Sequence, residues 1–218
     1  MTSPVLLFDL DGTLTDPRAG IVRCLRYAFG KLGVPCPSDD VLASFIGPPL
    51  RPTLAALLGT SDTSLIERTL ALYREEYGTI GLFENHVYDG IAPMLDRMRL
   101  TASAAFVATA KPKAYADRIV HRLGLAHHFA GVYGPEMGGH LGDKADLLAH
   151  LLATEKIPGE RAVMIGDRAA DVVAARANRL RSIGVLWGYG SKSELVDAGA
   201  DGICGSPIEL RNRICGWR

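Results

Sequence analysis

The chain has 218 residues, 48% of them hydrophobic, and its 24 basic side chains balance its 24 acidic ones to a formal net charge of zero. A chain of this length can bury a substantial core, and a balanced charge exerts no overall attraction on nucleic acids or acidic membrane surfaces. We therefore expect a folded protein that binds neither a nucleic acid polymer nor a membrane.

The chain begins with a short apolar run, residues 4–8, that leads directly into Asp9, Asp11 and Gly12. The run is typical of a buried strand, and residues two apart on a strand point to the same side, so both carboxylates can reach one small volume. Gly12 allows a tight turn that leaves backbone amides close to an anion. These features favour a functional site, although an Asx-turn that merely ends a strand is the simpler alternative.

Residues 16–84 show only the patterns of helices and turns. Gly47, Pro48 and Pro49 form a turn, because two successive prolines disfavour helix in the residues before them. This helical insertion follows the first motif directly, so it can cover the carboxyl ends of the strands as a cap. The sequence predicts a helix over 18–32, a short helix capped by Ser38 that reaches Phe45, and helices over 54–58 and 64–77. Pro52 suits a first helical position.

From residue 89 onward, strand and helix patterns alternate, which is typical of parallel βαβ units. We expect an α/β fold with a doubly wound, mainly parallel sheet and a Rossmann-like core. That core comprises residues 1–15 and 85–218, and the inserted helical cap domain comprises residues 16–84. The predicted strands are 104–109, 131–133, 162–165, 182–186 and 202–204, and the predicted helices are 91–100, 112–123, 144–152, 169–177, 191–198 and one from 207.

A second acidic pair, Asp167 and Asp171, follows the predicted strand 162–165. Taken alone, Asp167 could cap the next helix and Asp171 could be a surface charge. However, Asp9, Asp11 and Asp167 all stand at strand ends. Such an all-oxygen, strongly negative pocket requires a hard cation such as Mg²⁺ to stay ionised and closely packed.

Two further residues complete a possible phosphate site. Thr109 ends a predicted strand and offers a hydroxyl at the same edge of the sheet, and Lys144 begins a helix after a glycine-rich loop. Lysine is a point charge suited to phosphate oxygens. Each residue alone is more often an ordinary strand-end hydroxyl or a solvated helix residue.

The four cysteines, Cys24, Cys36, Cys204 and Cys215, form no C-x-x-C pair. This spacing argues against a zinc module and favours reduced thiols, so we expect a cytoplasmic protein. No apolar run approaches the roughly 20 residues of a membrane-spanning helix.

These motifs, in this order, resemble the four motifs of the haloacid dehalogenase superfamily. The match spans nearly the whole chain. The helical insertion after the first motif is similar to the cap of the phosphoglycolate-phosphatase-like branch. Residues 45–50 and 187–191 also resemble bacterial members described as phosphoglycolate phosphatases or 5′-nucleotidases. The residues that carry the resemblance are Asp9, Asp11, Gly12, Thr13, Leu14, Thr109, Lys144, Gly166, Asp167 and Asp171.

The resemblance implies a Mg²⁺-dependent phosphomonoesterase that acts on a small phosphorylated metabolite. Asp9 would form an aspartyl phosphate, and Asp11 would protonate the leaving oxygen and then activate water. Mg²⁺ would bind Asp9, Asp167 and the backbone carbonyl of Asp11, and Asp171 would support Lys144 or a metal-bound water. The implied phosphate-binding residues are Gly12, Thr109, Ala110 and Lys144, with Ala110 contributing only its backbone amide where the family usually has Ser or Asn.

Several alternatives remain. Asp11 argues against a dehalogenase, because a halide leaving group needs no proton. A phosphonatase would need a cap lysine, and the only lysine from 16 to 88 is Lys31. A sugar phosphomutase, a non-enzymatic phosphoacceptor and a binding protein stay open. Gly47 and Arg51 are possible substrate contacts in the cap. Arg51 is the cap's best candidate for a residue that holds the second phosphate group of a mutase intermediate. The sequence leaves the choice of phosphomonoester open, and it allows a monomer or a homodimer.

Overall fold

The computed structural model describes residues 3–216 and divides the chain into two compact units. One unit comprises residues 1–15 and 87–218, and the other comprises residues 16–86. The strands are β1 (Val5–Phe8), β2 (Thr15–Asp16), β3 (His86–Val87), β4 (Ala104–Ala108), β5 (Gly131–Tyr133), β6 (Ala162–Gly166), β7 (Arg181–Val185) and β8 (Gly202–Cys204).

Ten α-helices are described, and three short 3₁₀ helices accompany them at Gly81–Phe83, Ala126–His128 and Gly159–Arg161. Among residues 3–216, none of these helices is both long and apolar enough to cross a membrane. The helices are α1 (Arg18–Leu32), α2 (Asp39–Ser44), α3 (Leu50–Leu58), α4 (Thr63–Thr79), α5 (Ile91–Met98), α6 (Lys113–Arg122), α7 (Lys144–Glu155), α8 (Ala169–Ala177), α9 (Lys192–Asp197) and α10 (Pro207–Cys215).

The first unit is built on a six-stranded sheet with the order β5-β4-β1-β6-β7-β8, and all five strand pairings are parallel. This arrangement confirms the predicted α/β class. β1 is entirely buried because it lies between β4 and β6, which explains its unbroken apolar sequence. The strand order reverses beside β1, and the carboxyl ends of strands at such a switch point form the usual ligand crevice.

One face of this sheet packs against α7 and α8. Leu7, Phe106 and Met164 from three adjacent strands belong to one buried cluster with Leu148 of α7 and Ala175 of α8. Burying apolar surface of this kind stabilises the fold by roughly 25 cal/mol per Å². The cluster therefore fixes the strands whose carboxyl ends carry the acidic residues.

The second unit contains α1 to α4, with α1 packed along α4 and along the 3₁₀ helix at Gly81–Phe83. α1 ends at Gly33, whose left-handed conformation (φ 66°) terminates the helix. Asp62 accepts hydrogen bonds from the amides of Ser64 and Leu65 and so begins α4. The sequence patterns predicted all four helices of this unit.

Two predictions for the inserted segment are wrong in detail. α3 begins at Leu50 and not at Pro52, the predicted first helical position. Pro52 still lies in the first helical turn, where its missing N–H would have no helical partner. Asp16 lies in strand β2 rather than in helix or turn. β2 and β3 form a separate two-stranded sheet.

Candidate active site

Three buried carboxylates meet at the carboxyl edge of the parallel sheet. Asp9 follows β1 and its amide donates to the carbonyl oxygen of Ile165 in β6 at 2.9 Å. Asp167 follows β6 directly. Each of Asp9, Asp167 and Asp171 offers a carboxylate oxygen that lies within 4.8 Å of the other two. The strand register thus brings together acidic residues that are more than 150 positions apart in the chain.

Asp171 is buried rather than exposed at the surface of α8. Its Oδ2 accepts the backbone N–H of Arg168 at 3.0 Å, and Arg168 rather than Asp167 is the N-cap residue of α8. The simpler interpretation of this pair, a capping Asp167 and a surface Asp171, is therefore wrong. Gly166 makes room for the carboxylate, because a Cβ atom there would lie 2.1 Å from Cγ of Asp171.

Lys144 links two of these carboxylates. It is the first residue of α7, a helix capped by the side chain of Asp143, and its Nζ lies 3.0 Å from Oδ1 of Asp9 and also contacts Asp171. Burial alone would lower the pKa of Lys144, but the carboxylates of Asp171 and Asp9 outweigh it and raise that pKa. The ammonium therefore stays protonated beside Asp9.

The structure adds Lys111, which the sequence patterns did not single out. Its Nζ lies 2.7 Å from Oδ2 of Asp11, and both side chains are buried. Burial raises the pKa of the Asp11 carboxyl group, although the Lys111 ammonium opposes the rise. A signal was present in the sequence, since Lys111 stands two positions after Thr109 at a strand end, but an isolated lysine there usually faces solvent.

The remaining predicted phosphate-binding residues lie next to these groups in the chain. Thr109 is buried, and its hydroxyl accepts the backbone N–H of Lys111 at 3.2 Å. Ala110, between them, is half-buried. Gly12 adopts a left-handed backbone conformation (φ 84°), and a Cβ atom there would lie 2.3 Å from Oδ2 of Asp167. Gly12 is therefore required both by the turn and by the close approach of that carboxylate.

The segment after β7 encloses Asp167. The amide of Tyr189 donates to Oδ2 of Asp167 at 2.8 Å, and the hydroxyl of Thr13 donates to Oδ1 at 3.3 Å. Cβ atoms at Gly188 and Gly190 would lie 2.4 Å from Oδ2 and 1.8 Å from the carbonyl oxygen of Asp167. The sequence patterns did not place this segment in the site, although glycines on both sides of Tyr189 indicate such a close backbone approach.

The buried charges do not balance. Among the described residues, the site contains four carboxylates, those of Asp9, Asp11, Asp167 and Asp171, and two ammonium groups, those of Lys111 and Lys144. Burial, together with the carboxylates of Asp171 and Asp9, raises the pKa of Asp167 to about 8. Closely placed oxygen donors with excess negative charge are the ligands that hard divalent cations prefer, so these residues fit Mg²⁺.

The two predicted cap contacts, Gly47 and Arg51, belong to the second unit. The Nε atom of Arg51 lies 2.5 Å from Oε1 of Glu67 in α4, and both side chains are about half exposed. Glu67 is therefore the observed partner of Arg51. A role for Gly47 or Arg51 in binding substrate stays a prediction.

Comparison with known proteins agrees with this geometry. A family model described as haloacid dehalogenase-like hydrolase matches residues 6–185. A 5′-nucleotidase from Pseudomonas aeruginosa is 40% identical over 192 residues, which cover 88% of this chain and 86% of that protein. The tyrosine-protein kinase PtkA of Mycobacterium tuberculosis is 39% identical over 88% of this chain and 65% of its own. The crystal structure of a predicted phosphatase from Clostridium acetobutylicum matches with a TM-score of 0.93 and 36% identity, covering 98% of this chain and 99% of that one.

Proposed function

The chain belongs to the haloacid dehalogenase-like hydrolase family, and on this premise we propose that it is a Mg²⁺-dependent phosphomonoesterase acting through an aspartyl phosphate on Asp9. One observation carries the proposal. Asp9 directly follows β1, an interior strand of the sheet, and Lys144 contacts its carboxylate. Asp11 lies two residues further along and is paired with the buried Lys111. This arrangement supplies a nucleophile, a cation for phosphate oxygens and a proton carrier.

In the first step, an oxygen of Asp9 attacks phosphorus while the bond to the ester oxygen breaks. Asp11 gives its proton to that leaving oxygen. In the second step, water attacks the phosphorus of the aspartyl phosphate, Asp11 takes a proton from the water, and the Asp9 carboxylate is released. The raised pKa of Asp11 suits it to hold a proton before the first step.

The other side chains orient the reacting groups. Lys144, held by Asp171, binds an equatorial phosphate oxygen together with the Thr109 hydroxyl and the backbone amide of Ala110. Other amides following Asp9 would bind the same phosphoryl group, whereas the amide of Gly12, also a predicted phosphate ligand, donates to the carbonyl oxygen of Thr15 at 2.8 Å. Asp9, Asp167 and the backbone carbonyl of Asp11 would hold Mg²⁺, which would neutralise charge on the transferring phosphoryl group.

For the substrate, we infer a small phosphomonoester such as a nucleoside 5′-monophosphate or phosphoglycolate. The likeness to a protein named 5′-nucleotidase supports the first of these. Contacts from the inserted unit, with Gly47 and Arg51 as candidates, would select between them. Because all four cysteines are free, we further propose that the enzyme works in the reducing cytoplasm.

Alternative functions make different predictions. A sugar phosphomutase must retain a bisphosphorylated intermediate, and Arg51, its candidate clamp, is paired with Glu67. A kinase activity, as in the name of PtkA, requires transfer from a nucleoside triphosphate to a protein hydroxyl group. A phosphoacceptor would hold a stable phosphoaspartate, and a binding protein would show no turnover. The pair of Asp9 and Asp11 at one strand end supplies a nucleophile and a proton carrier, which favours turnover over a stable phosphoacceptor or a binding protein. The engagement of Arg51 by Glu67 counts against the phosphomutase.

The deciding experiment is the substitution Asp9→Asn, assayed with p-nitrophenyl phosphate and Mg²⁺. We expect hydrolysis to be abolished, because the amide cannot attack phosphorus. Asp197→Asn, at an exposed position of α9, is the matched control and should keep full activity. Undiminished turnover by the Asp9→Asn protein would contradict the assignment. A panel of nucleoside monophosphates, phosphoglycolate and sugar phosphates would then identify the substrate.

A further inference from the structure

We propose that Lys111 is a positioning residue that holds one oxygen of Asp11 so that the other oxygen faces the leaving group. The inference rests on the proposed phosphatase function. Nζ of Lys111 lies 2.7 Å from Oδ2 of Asp11, and the two side chains are only 6% and 11% exposed. Oδ1 of Asp11 is buried and accepts no hydrogen bond from the described residues. The two oxygens of this carboxyl group therefore differ: Oδ2 is paired with Lys111, whereas Oδ1 has no hydrogen-bond donor among the described residues.

The backbone of Lys111 is itself fixed. Its amide donates to the hydroxyl of Thr109 at 3.2 Å, directly after β4, the neighbour of β1 in the sheet. On the other side, a Cβ atom at Gly134 would lie 2.4 Å from the carbonyl oxygen of Lys111, so glycine allows the segment after β5 to pack closely here. The ammonium group thus approaches Asp11 from a backbone held on both sides.

This geometry determines how Asp11 can exchange a proton. The hydrogen bond from the Lys111 ammonium group to Oδ2 restricts rotation of the carboxyl group, whether that group is protonated or ionised, and leaves Oδ1 as the atom that transfers the proton. In the first step the proton moves from Oδ1 to the ester oxygen as its bond to phosphorus breaks. In the second step a proton from the attacking water returns to Oδ1. Lys111 keeps its own proton throughout, so it acts only through Asp11.

If Lys111 acts only through Asp11, the activity lost on replacing Lys111 should depend on whether the leaving group needs a proton. An alkoxide leaving group needs protonation, whereas 2,4-dinitrophenolate leaves without it. A lysine that contacted the phosphoryl group directly would instead assist both esters equally. Comparing the two kinds of ester separates a lysine that positions the acid from one that binds phosphate.

The test measures kcat/KM of the full chain with Mg²⁺ for adenosine 5′-monophosphate and for 2,4-dinitrophenyl phosphate. For Lys111→Met we expect a loss of about 100-fold with the nucleotide and less than about 3-fold with the aryl ester. Lys113→Met is the matched control, because Lys113 is exposed and paired with Asp117 in α6. Both esters are assayed on one preparation, so the ratio of the two losses does not depend on the folded fraction.

The double variant provides a second criterion. If Lys111 acts through Asp11, Asp11→Asn should show the same leaving-group dependence, and adding Lys111→Met should cost less than about 2-fold more with the nucleotide. Equal losses with both esters, or additive losses in the double variant, would overturn the inference. Failure of the unsubstituted protein to hydrolyse either ester would instead overturn the proposed function itself.

Discussion

Asp167 illustrates how single residues shape the site, because both of its carboxylate oxygens already have partners from the chain. Tyr189 and Thr13 donate to it, and three glycines leave the space that it occupies. Gly188 is the most informative of these. A Cβ atom there would lie 2.2 Å from the carbonyl oxygen of Gly12 and 2.4 Å from Oδ2 of Asp167, and its backbone conformation is one that any residue adopts.

We expect Gly188→Ala to displace Asp167 and weaken Mg²⁺ binding about 5- to 150-fold, because the cost of overpacking is about 1–3 kcal/mol and would fall on a proposed metal ligand. Calorimetric titration with Mg²⁺ measures this directly. Gly138→Ala is the control, since a Cβ atom at Gly138 meets nothing within 4 Å. Equal Mg²⁺ affinity in the two variants would show that Asp167 does not bind the ion.

At the scale of elements, helix α1 shows how closely the second unit is packed. A Cβ atom at Gly20 would lie 2.0 Å from the carbonyl oxygen of Gly81, and one at Gly81 would lie 2.3 Å from Sγ of Cys24. The side chain of Cys24, on α1, is therefore packed against the 3₁₀ helix. Burial, and after it the carboxylates of Glu76 and Glu84, raises the pKa of the Cys24 thiol to about 12.

Thiol labelling should report this packing. Cys36 and Cys215 are exposed, whereas Cys24 and Cys204 are buried and burial raises the pKa of both buried thiols. Because the thiolate is the reactive form, we expect an aromatic disulfide reagent at pH 8 to modify two thiols quickly and the other two only after unfolding. Peptide mapping identifies the modified residues. Rapid labelling of Cys24 in the native protein would contradict the packing of α1.

The same elements show what sequence alone can predict. Helix α1 was predicted with its observed bounds, because a helical apolar stripe ends at Gly33. The sequence also predicted that Asp9 and Asp167 lie close together, because each follows a strand and the carboxyl ends of parallel strands share one edge of the sheet. Lys111 was missed, because its burial depends on its partner Asp11, which follows a different strand. The start of α3 was also missed, since proline is compatible with more than one position in a first helical turn.

For the whole molecule, a net charge of zero conceals a local excess of negative charge. The excess lies in the buried site, where four carboxylates face two ammonium groups. Without a cation, the folded protein keeps a proton on Asp167 up to about pH 8, whereas the unfolded chain loses it near the ordinary value of 3.8. Folding and the proposed metal binding are therefore linked to pH.

The difference between the folded and unfolded pKa values of Asp167 determines whether stability rises or falls with pH. Between about pH 4 and pH 8 the folded metal-free protein binds more protons than the unfolded chain, so the contribution of Asp167 to the free energy of unfolding falls as pH rises. Mg²⁺ should stabilise the protein more at pH 8 than at pH 6. Urea unfolding with a chelator and with Mg²⁺ at several pH values measures both effects. Asp167→Asn should reduce the pH dependence of stability and the pH dependence of stabilisation by Mg²⁺. An unchanged pH profile of stability in that variant would show that other groups cause the dependence.

The hydrogen bond from Tyr189 to Asp167 has a consequence for mutational scanning. It comes from the main chain, so every residue except proline can supply it at this position. Replacing Tyr189 by alanine leaves the bond in place, and an alanine scan would record nothing of its contribution. The backbone conformation of this segment therefore helps to define the site. Only substitution of Tyr189 by proline, or substitution of a flanking glycine, would reveal that contribution.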